Sequence, residues 1–102
     1  MIIHVTGETS PTLEETIRRR LDSALGQYRE WLDHVSVRVW DENGPRGGQD
    51  KRCRIEVFLR GRIQVFIEHG GSDYYVMINE AADRVKQAVG RRIERRREHA
   101  SA

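Results

Sequence analysis

Seven cationic side chains crowd the last 19 residues of this 102-residue chain: Arg84, Lys86, Arg91, Arg92, Arg95, Arg96 and Arg97, opposed only by Glu94 and Glu98. That stretch carries +5 while the whole chain carries +2, so the other 83 residues sum to −3. A guanidinium presents its N–H donors in a planar fork that meets phosphate oxygens two at a time. Of the 18 cations, 16 are Arg and 2 are Lys, a bias that phosphate binding and a GC-rich genome both produce. Cations near a helix C-terminus gain a few tenths of a kcal/mol each from the dipole. Two or three would serve that purpose, so a solvated helix end and a polyanion contact both stand as readings of the run.

Two further groups could do chemistry. Residues 43–52, "NGPRGGQDKR", are rich in turn formers, with Arg46, Lys51 and Arg52 added. Successive backbone N–H groups in such a loop can cradle an anion, but the spacing of a nucleotide-binding P-loop is missing. A plain hairpin loop and a secondary RNA contact are both open. Alternation puts Trp40, Phe58 and Phe66 on one sheet face with Arg38, Arg54, Arg60 and Arg62. That face could stack single-stranded bases, associate with a second copy, or consist of cross-strand pairs that shield one another.

Catalytic chemistry finds little support. His4, His34, His69 and His99 show no metal-ligand spacing, no serine has a nucleophile context, and Cys53 falls inward on a strand. The expectation is a protein with no enzymatic activity, no cofactor and no metal. A lone cysteine fits a reducing compartment, and no apolar run approaches the roughly 18 residues of a membrane span. No signal peptide is recognised at "MIIHVTG". A soluble cytoplasmic protein that does not bind membranes is expected.

The elements that must position these groups follow from periodicity. Residues 2–6 read as a short strand ended by Gly7. Thr12 and Glu15 form a capping box, and Leu13, Ile17, Leu21, Leu25, Tyr28 and Leu32 mark one buried helical stripe. Gly26 inside that stripe costs about 1 kcal/mol relative to Ala, which suggests a close packing contact. Residues 34–41, 52–60 and 62–69 alternate as strands, with Val35, Val37, Val39, Cys53, Ile55, Val57, Leu59, Ile63, Val65 and Ile67 inward. Gly61 makes a tight reversal. Ser72 or Asp73 caps a last helix whose stripe is Tyr75, Ile78, Ala82, Val85 and Val89, with Ile93 near its end. The order is β-α-β-β-β-α. Both helices should cover one face of a four-stranded mixed sheet, an α+β two-layer sandwich of one domain over residues 1–102. A helix from 74 to 97 would run about 36 Å against roughly 26 Å for an eight-residue strand. Arg92 and Arg96 then take the inward positions, so the final turns should project beyond the core.

This layout, with the opening "VTG" before a helix and "DYYVMINEAADRVKQAV" at residues 73–89, resembles the ribosome hibernation promoting factor and ribosome-associated inhibitor family, also called the sigma-54 modulation or S30EA family, in its short single-domain form. The most specific part is Asp73-x-Tyr75-x-x-Ile78-Asn79 followed by Arg84 and Arg91. The resemblance implies a fold like that of a double-stranded-RNA-binding domain. It also implies docking on the small ribosomal subunit, against 16S rRNA in the mRNA and tRNA channel, with translation repressed by steric occlusion under stress. Carried over residue by residue, it implicates Arg18, Arg84 and Arg91. Arg92 and Arg95 extend the run by charge, and Lys51 and Arg52 join as candidates from the loop. The alternative is a protein-interaction module that forms a homodimer through the sheet face of Trp40, Phe58 and Phe66. A general double-stranded-RNA binder is a third reading.

Overall fold

Valines at every second position leave little choice for the segment around Val35, Val37 and Val39: all three side chains are fully buried on one side of a strand. The same holds for Cys53, Ile55, Val57 and Leu59. A computed structural model describes residues 1–42 and 50–101, with side chains to Glu98. In it these segments form β2 (Leu32–Asp41) and β3 (Lys51–Leu59), flanked by β1 (Ile3–Gly7) and β4 (Ile63–Gly71). The sheet order is β1-β2-β3-β4. β1 runs parallel to β2 with Ile3 opposite Val35, whereas β2–β3 and β3–β4 are antiparallel, with Val37 opposite Ile55 and Ile55 opposite Ile67. Residues 43–49, including Arg46 and most of the glycine-rich loop, lie outside the described residues.

Helix α1 (Pro11–Leu25) starts two residues earlier than the Thr12–Glu15 box suggests. Ser10 is the cap: its Oγ accepts the Leu13 N–H at 3.2 Å. Pro11 follows at the first helical position, where its missing N–H costs nothing. The helix also stops earlier than its apolar stripe. Gly26–Trp31 form a 3-10 turn, and Leu32 opens β2 instead of closing the helix. An i+4 spacing survives the change because Tyr28 and Trp31 still lean on the core from that turn. Gly26 makes no close contact; a Cβ there would meet nothing within 4 Å. The packing glycine is Gly90, whose Cβ would sit 2.6 Å from the Tyr28 hydroxyl.

Helix α2 (Tyr74–Ser101) is capped by Asp73, whose Oδ1 accepts the N–H of Tyr75 at 2.8 Å and of Val76 at 3.0 Å. Its buried stripe is Met77, Ile78, Ala81, Ala82, Val85, Val89 and Ile93. Tyr75 is not part of it and stands 41% exposed. Its neighbour Tyr74 packs against the core instead, with the Lys51 ammonium 5.5 Å from its ring. The two helices lie side by side and run in the same direction, since Arg20 meets Asn79 and Asp83, Tyr28 meets Gly90, and Trp31 meets Arg96. Both cover the same face of the sheet, where one core joins Ile17, Leu21 and Leu25 to the strand valines and to the α2 stripe. Each of these fully buried aliphatic side chains contributes about 1.5–3 kcal/mol.

The packed face of α2 runs to Ile93, the last residue of the expected stripe, which is 2% exposed. At 28 residues the helix spans about 42 Å, and the molecule measures 52 × 22 × 19 Å.

Two glycines separate backbone need from mere presence. Gly7 has φ +95, and a Cβ on it would lie 2.0 Å from the Val39 carbonyl oxygen, which accepts the Glu8 N–H. Gly7→Ala should therefore lower stability by more than about 2 kcal/mol in urea denaturation, while Gly26→Ala, at an ordinary helical φ of −56, should raise it by about 0.5–1 kcal/mol. Burial pushes the Cys53 thiol up to about 11, against a smaller lowering effect of its backbone hydrogen bond with His69. Native protein at pH 8 should accordingly resist a disulfide-exchange reagent that labels it at once in denaturant.

Candidate nucleic-acid interface

At 100° per residue, Arg84, Arg91 and Arg95 fall on one flank of α2. That flank faces β4, because Arg84 donates to the Glu68 carbonyl at 2.7 Å and to Nδ1 of His69 at 3.0 Å. With Nδ1 accepting, the ring hydrogen sits on Nε2, 3.2 Å from Glu80. Arg84, although exposed like Arg91 and Arg95, is thus held against the edge strand. Arg92, half-buried, lies between that flank and the core stripe. Among the described residues, Arg91, Arg92 and Arg95 have no ion-pair partner, although Glu80, Asp83, Glu94 and Glu98 share the helix. Three guanidiniums with no internal bond to break keep their full donor sets for an outside acceptor.

The remaining sequence candidates are placed elsewhere. Arg18 lies on the far side of α1, 3.8 Å from Glu14, where it lines a groove with Met1, Ile3 and Arg19 beside β1. It does not join the α2 group. Lys51 and Arg52 belong to β3, not to a loop. The Lys51 ammonium bonds Asp41 at 2.8 Å and Asp50 at 3.4 Å. The Asp41 hydrogen bond holds its pKa above the ordinary lysine value against the opposing effect of burial. Asp50 is 1% exposed, so Lys51 supplies the cation this buried carboxylate needs. Arg52 lies over Gly70 between Glu42 at 4.0 Å and Glu68 at 3.8 Å.

The open sheet face is an array of paired side chains. Phe58 stacks on His34, its cross-strand partner, with centroids 4.2 Å apart and planes 13° from parallel. Arg54 lies 4.3 Å over Phe66 and bonds Glu56 at 2.9 Å and Glu68 at 3.0 Å. Arg38 covers Trp40 at 5.5 Å. Of the three readings of this face, mutual shielding describes these contacts. Phe66 alone among its aromatics remains largely exposed, at 54%.

Arg60 and Arg62 do not lie on that face. The chain reverses at Arg60, Gly61 and Arg62, with φ +86 at Gly61 and +60 at Arg62, so strand alternation ends at Leu59. This turn abuts the end of α2, where Arg96 donates to the Arg60 carbonyl. Sequence reasoning missed this meeting and also Trp31, whose ring lies 5.6 Å from the Arg96 guanidinium and 5.4 Å from that of Arg97. The one available signal was Arg96 itself, a cation three residues past Ile93 on the inward stripe. Among the described residues there is no group of three or more His, Cys, Asp or Glu able to hold a metal ion, and no helix long and apolar enough to cross a membrane.

A β-α-β-β-β-α sandwich with parallel helices on one face of a four-stranded mixed sheet defines a small α+β domain. The chain belongs to the family described as Sigma 54 modulation protein / S30EA ribosomal protein, which it matches over residues 2–97. The fold is shared with the Protein Y N-terminal domain of Thermus thermophilus, at 24% identity and a TM-score of 0.72, covering 89% of this chain and 98% of that one. It is shared also with a ribosomal subunit interface protein from Coxiella burnetii, at 18% identity and a TM-score of 0.73, covering 91% and 99%. No curated protein matches the sequence.

The two kinds of cation should separate by mutation. Lys51→Gln is expected to lower the urea midpoint by removing the partner of buried Asp50, and Arg95→Gln to leave that midpoint unchanged.

Proposed function

We propose that this protein is a noncatalytic, cytoplasmic ribosome-associated domain that docks on the small subunit and represses translation by occlusion. The rigid sandwich fills part of the mRNA and tRNA channel, and its arginines neutralise 16S rRNA phosphates. The observation that carries this reading is the set Arg91, Arg92 and Arg95, without an ion pair among the described residues, on a helix whose apolar stripe is locked into the core to Ile93. Family membership supports the choice of a ribosomal partner over other polyanions. Assembly through the open sheet is the weaker reading, because Trp40 and Phe58 are covered by Arg38 and His34 and only Phe66 offers much free apolar surface.

Each neutralised phosphate releases counterions, so affinity should fall with log salt at about −0.7 to −0.9 per contact. The protein should pellet with small subunits at low salt and stay in the supernatant at high salt. Replacing Arg91, Arg92 and Arg95 together by Gln should flatten the salt slope by roughly 2–3 without unfolding the domain. A protein absent from the low-salt pellet would refute the reading.

A further inference from the structure

We propose that the β3–β4 turn is a second phosphate-contacting pole, with Arg60 and Arg62 as its contacts and Trp31 and Arg96, which fasten it to the end of α2, as positioning residues. The proposal rests on the RNA-binding reading and adds a pole that neither the sequence nor family membership points to.

The turn carries more than reversal requires. Gly61 at φ +86 suits a tight hairpin, but Arg62 at φ +60 occupies a left-handed conformation that favours Gly or Asn. The side chains of Arg60 and Arg62 are exposed and have no ion-pair partner among the described residues.

The turn is also fastened to α2. Arg96 donates to the Arg60 carbonyl, and its guanidinium lies over the bare face of Gly61, where a Cβ would stand 2.7 Å from it. Trp31 supports the same guanidinium from the other side at 5.6 Å. Arg96 therefore has one N–H donor engaged by the turn and its guanidinium set against Trp31 and Gly61. Arg92, one helical turn before Arg96, is half-buried and has no ion pair among the described residues. The carboxylates around this pole are Glu30, which lines the depression of Trp31, Arg60 and Arg96, Asp33, which lines that of Arg60, Gly61 and Arg62, and Glu94 and Glu98 on α2 itself. Against these four stand Arg60, Arg62, Arg92, Arg95, Arg96 and Arg97, so this end of the molecule is net cationic.

Backbone phosphate, not base, is the ligand this chemistry selects. Of the aromatic rings at the pole, Trp31 carries the Arg96 and Arg97 guanidiniums at 5.6 and 5.4 Å, and Phe58, which lines the depression beside the turn, is stacked on His34, so neither ring stands free for a base. Two guanidiniums on one fastened turn suit consecutive phosphates on a folded RNA, without sequence preference.

The test uses full-length protein, purified small ribosomal subunits and a potassium chloride series, with thermal midpoints recorded for every variant. Arg60→Gln combined with Arg62→Gly should flatten the salt slope by about 1.4–1.8, two contacts' worth. The glycine relaxes the left-handed position, so the midpoint should hold or rise. Arg96→Gln should weaken binding several-fold with little change in slope, because the same contacts form after an ordering cost, and Arg96→Lys should restore most of the affinity. Wild-type protein that binds steeply alongside a double variant of identical slope would overturn the pole and leave the proposed function standing. Wild-type protein that fails to bind at low salt would overturn both.

Discussion

The packing of the α2 stripe, from Met77 to Ile93, onto β3 and β4 fixes where everything else can point. A sheet with one apolar face needs a roof, and two helices running in the same direction supply it. Because the strands are short and α2 is long, the roof overhangs. Once the apolar stripe is seated, the rotation of the helix is no longer free, and every residue off the stripe has a set direction. Arg84, Arg91 and Arg95 face the β4 side for that reason alone. The cations therefore form an ordered surface and not a flexible tail, and no side-chain ordering beyond their own rotamers is needed when they meet a partner.

Charge in this molecule is sorted by local supply of acceptors. Where carboxylates stand close, as around Lys51 and Arg54, the cations are consumed by structure. Lys51 keeps Asp50 from being a buried charge with no counterpart, and Arg54 ties β3 to β4 across the open face. On α2 and in the β3–β4 turn, Arg91, Arg92, Arg95, Arg60 and Arg62 have no ion pair among the described residues. Net charge conceals this division, since +2 is the small remainder of two opposite populations.

Much of the fold was legible because the strands alternate without interruption. Val35, Val37, Val39, Ile55 and Val57 point inward in register, and Asp73 caps the last helix as its position suggests. The misreadings have physical causes. Leu32 sits four residues after Tyr28 and so mimics a helical stripe, although the chain has already passed through a 3-10 turn into a strand. Ser10 before Pro11 outcompetes Thr12 as a cap because proline fixes the first helical turn. Tyr75 has the right spacing for the core, yet Tyr74 takes the packed position. For the site, the uncommitted arginines of α2 were readable from composition. The commitment of Lys51 was not, since it depends on Asp41 across a strand pair. The Trp31–Arg96 contact was not either, because it joins residues 65 apart that only the parallel alignment of the helices brings together.

Among the described residues β4 is the last strand of the sheet, with no neighbour beyond it. Its outer rim is an invitation for any extended peptide to zip on, the first step toward runaway stacking. Arg84 reaches over and fills the Glu68 carbonyl with its own N–H, while His69 is pinned between Arg84 and Glu80. The same guanidinium that family likeness singles out for a ligand thus also guards the border of the sheet. Losing it would expose a sticky seam, and insolubility could then masquerade as a loss of binding.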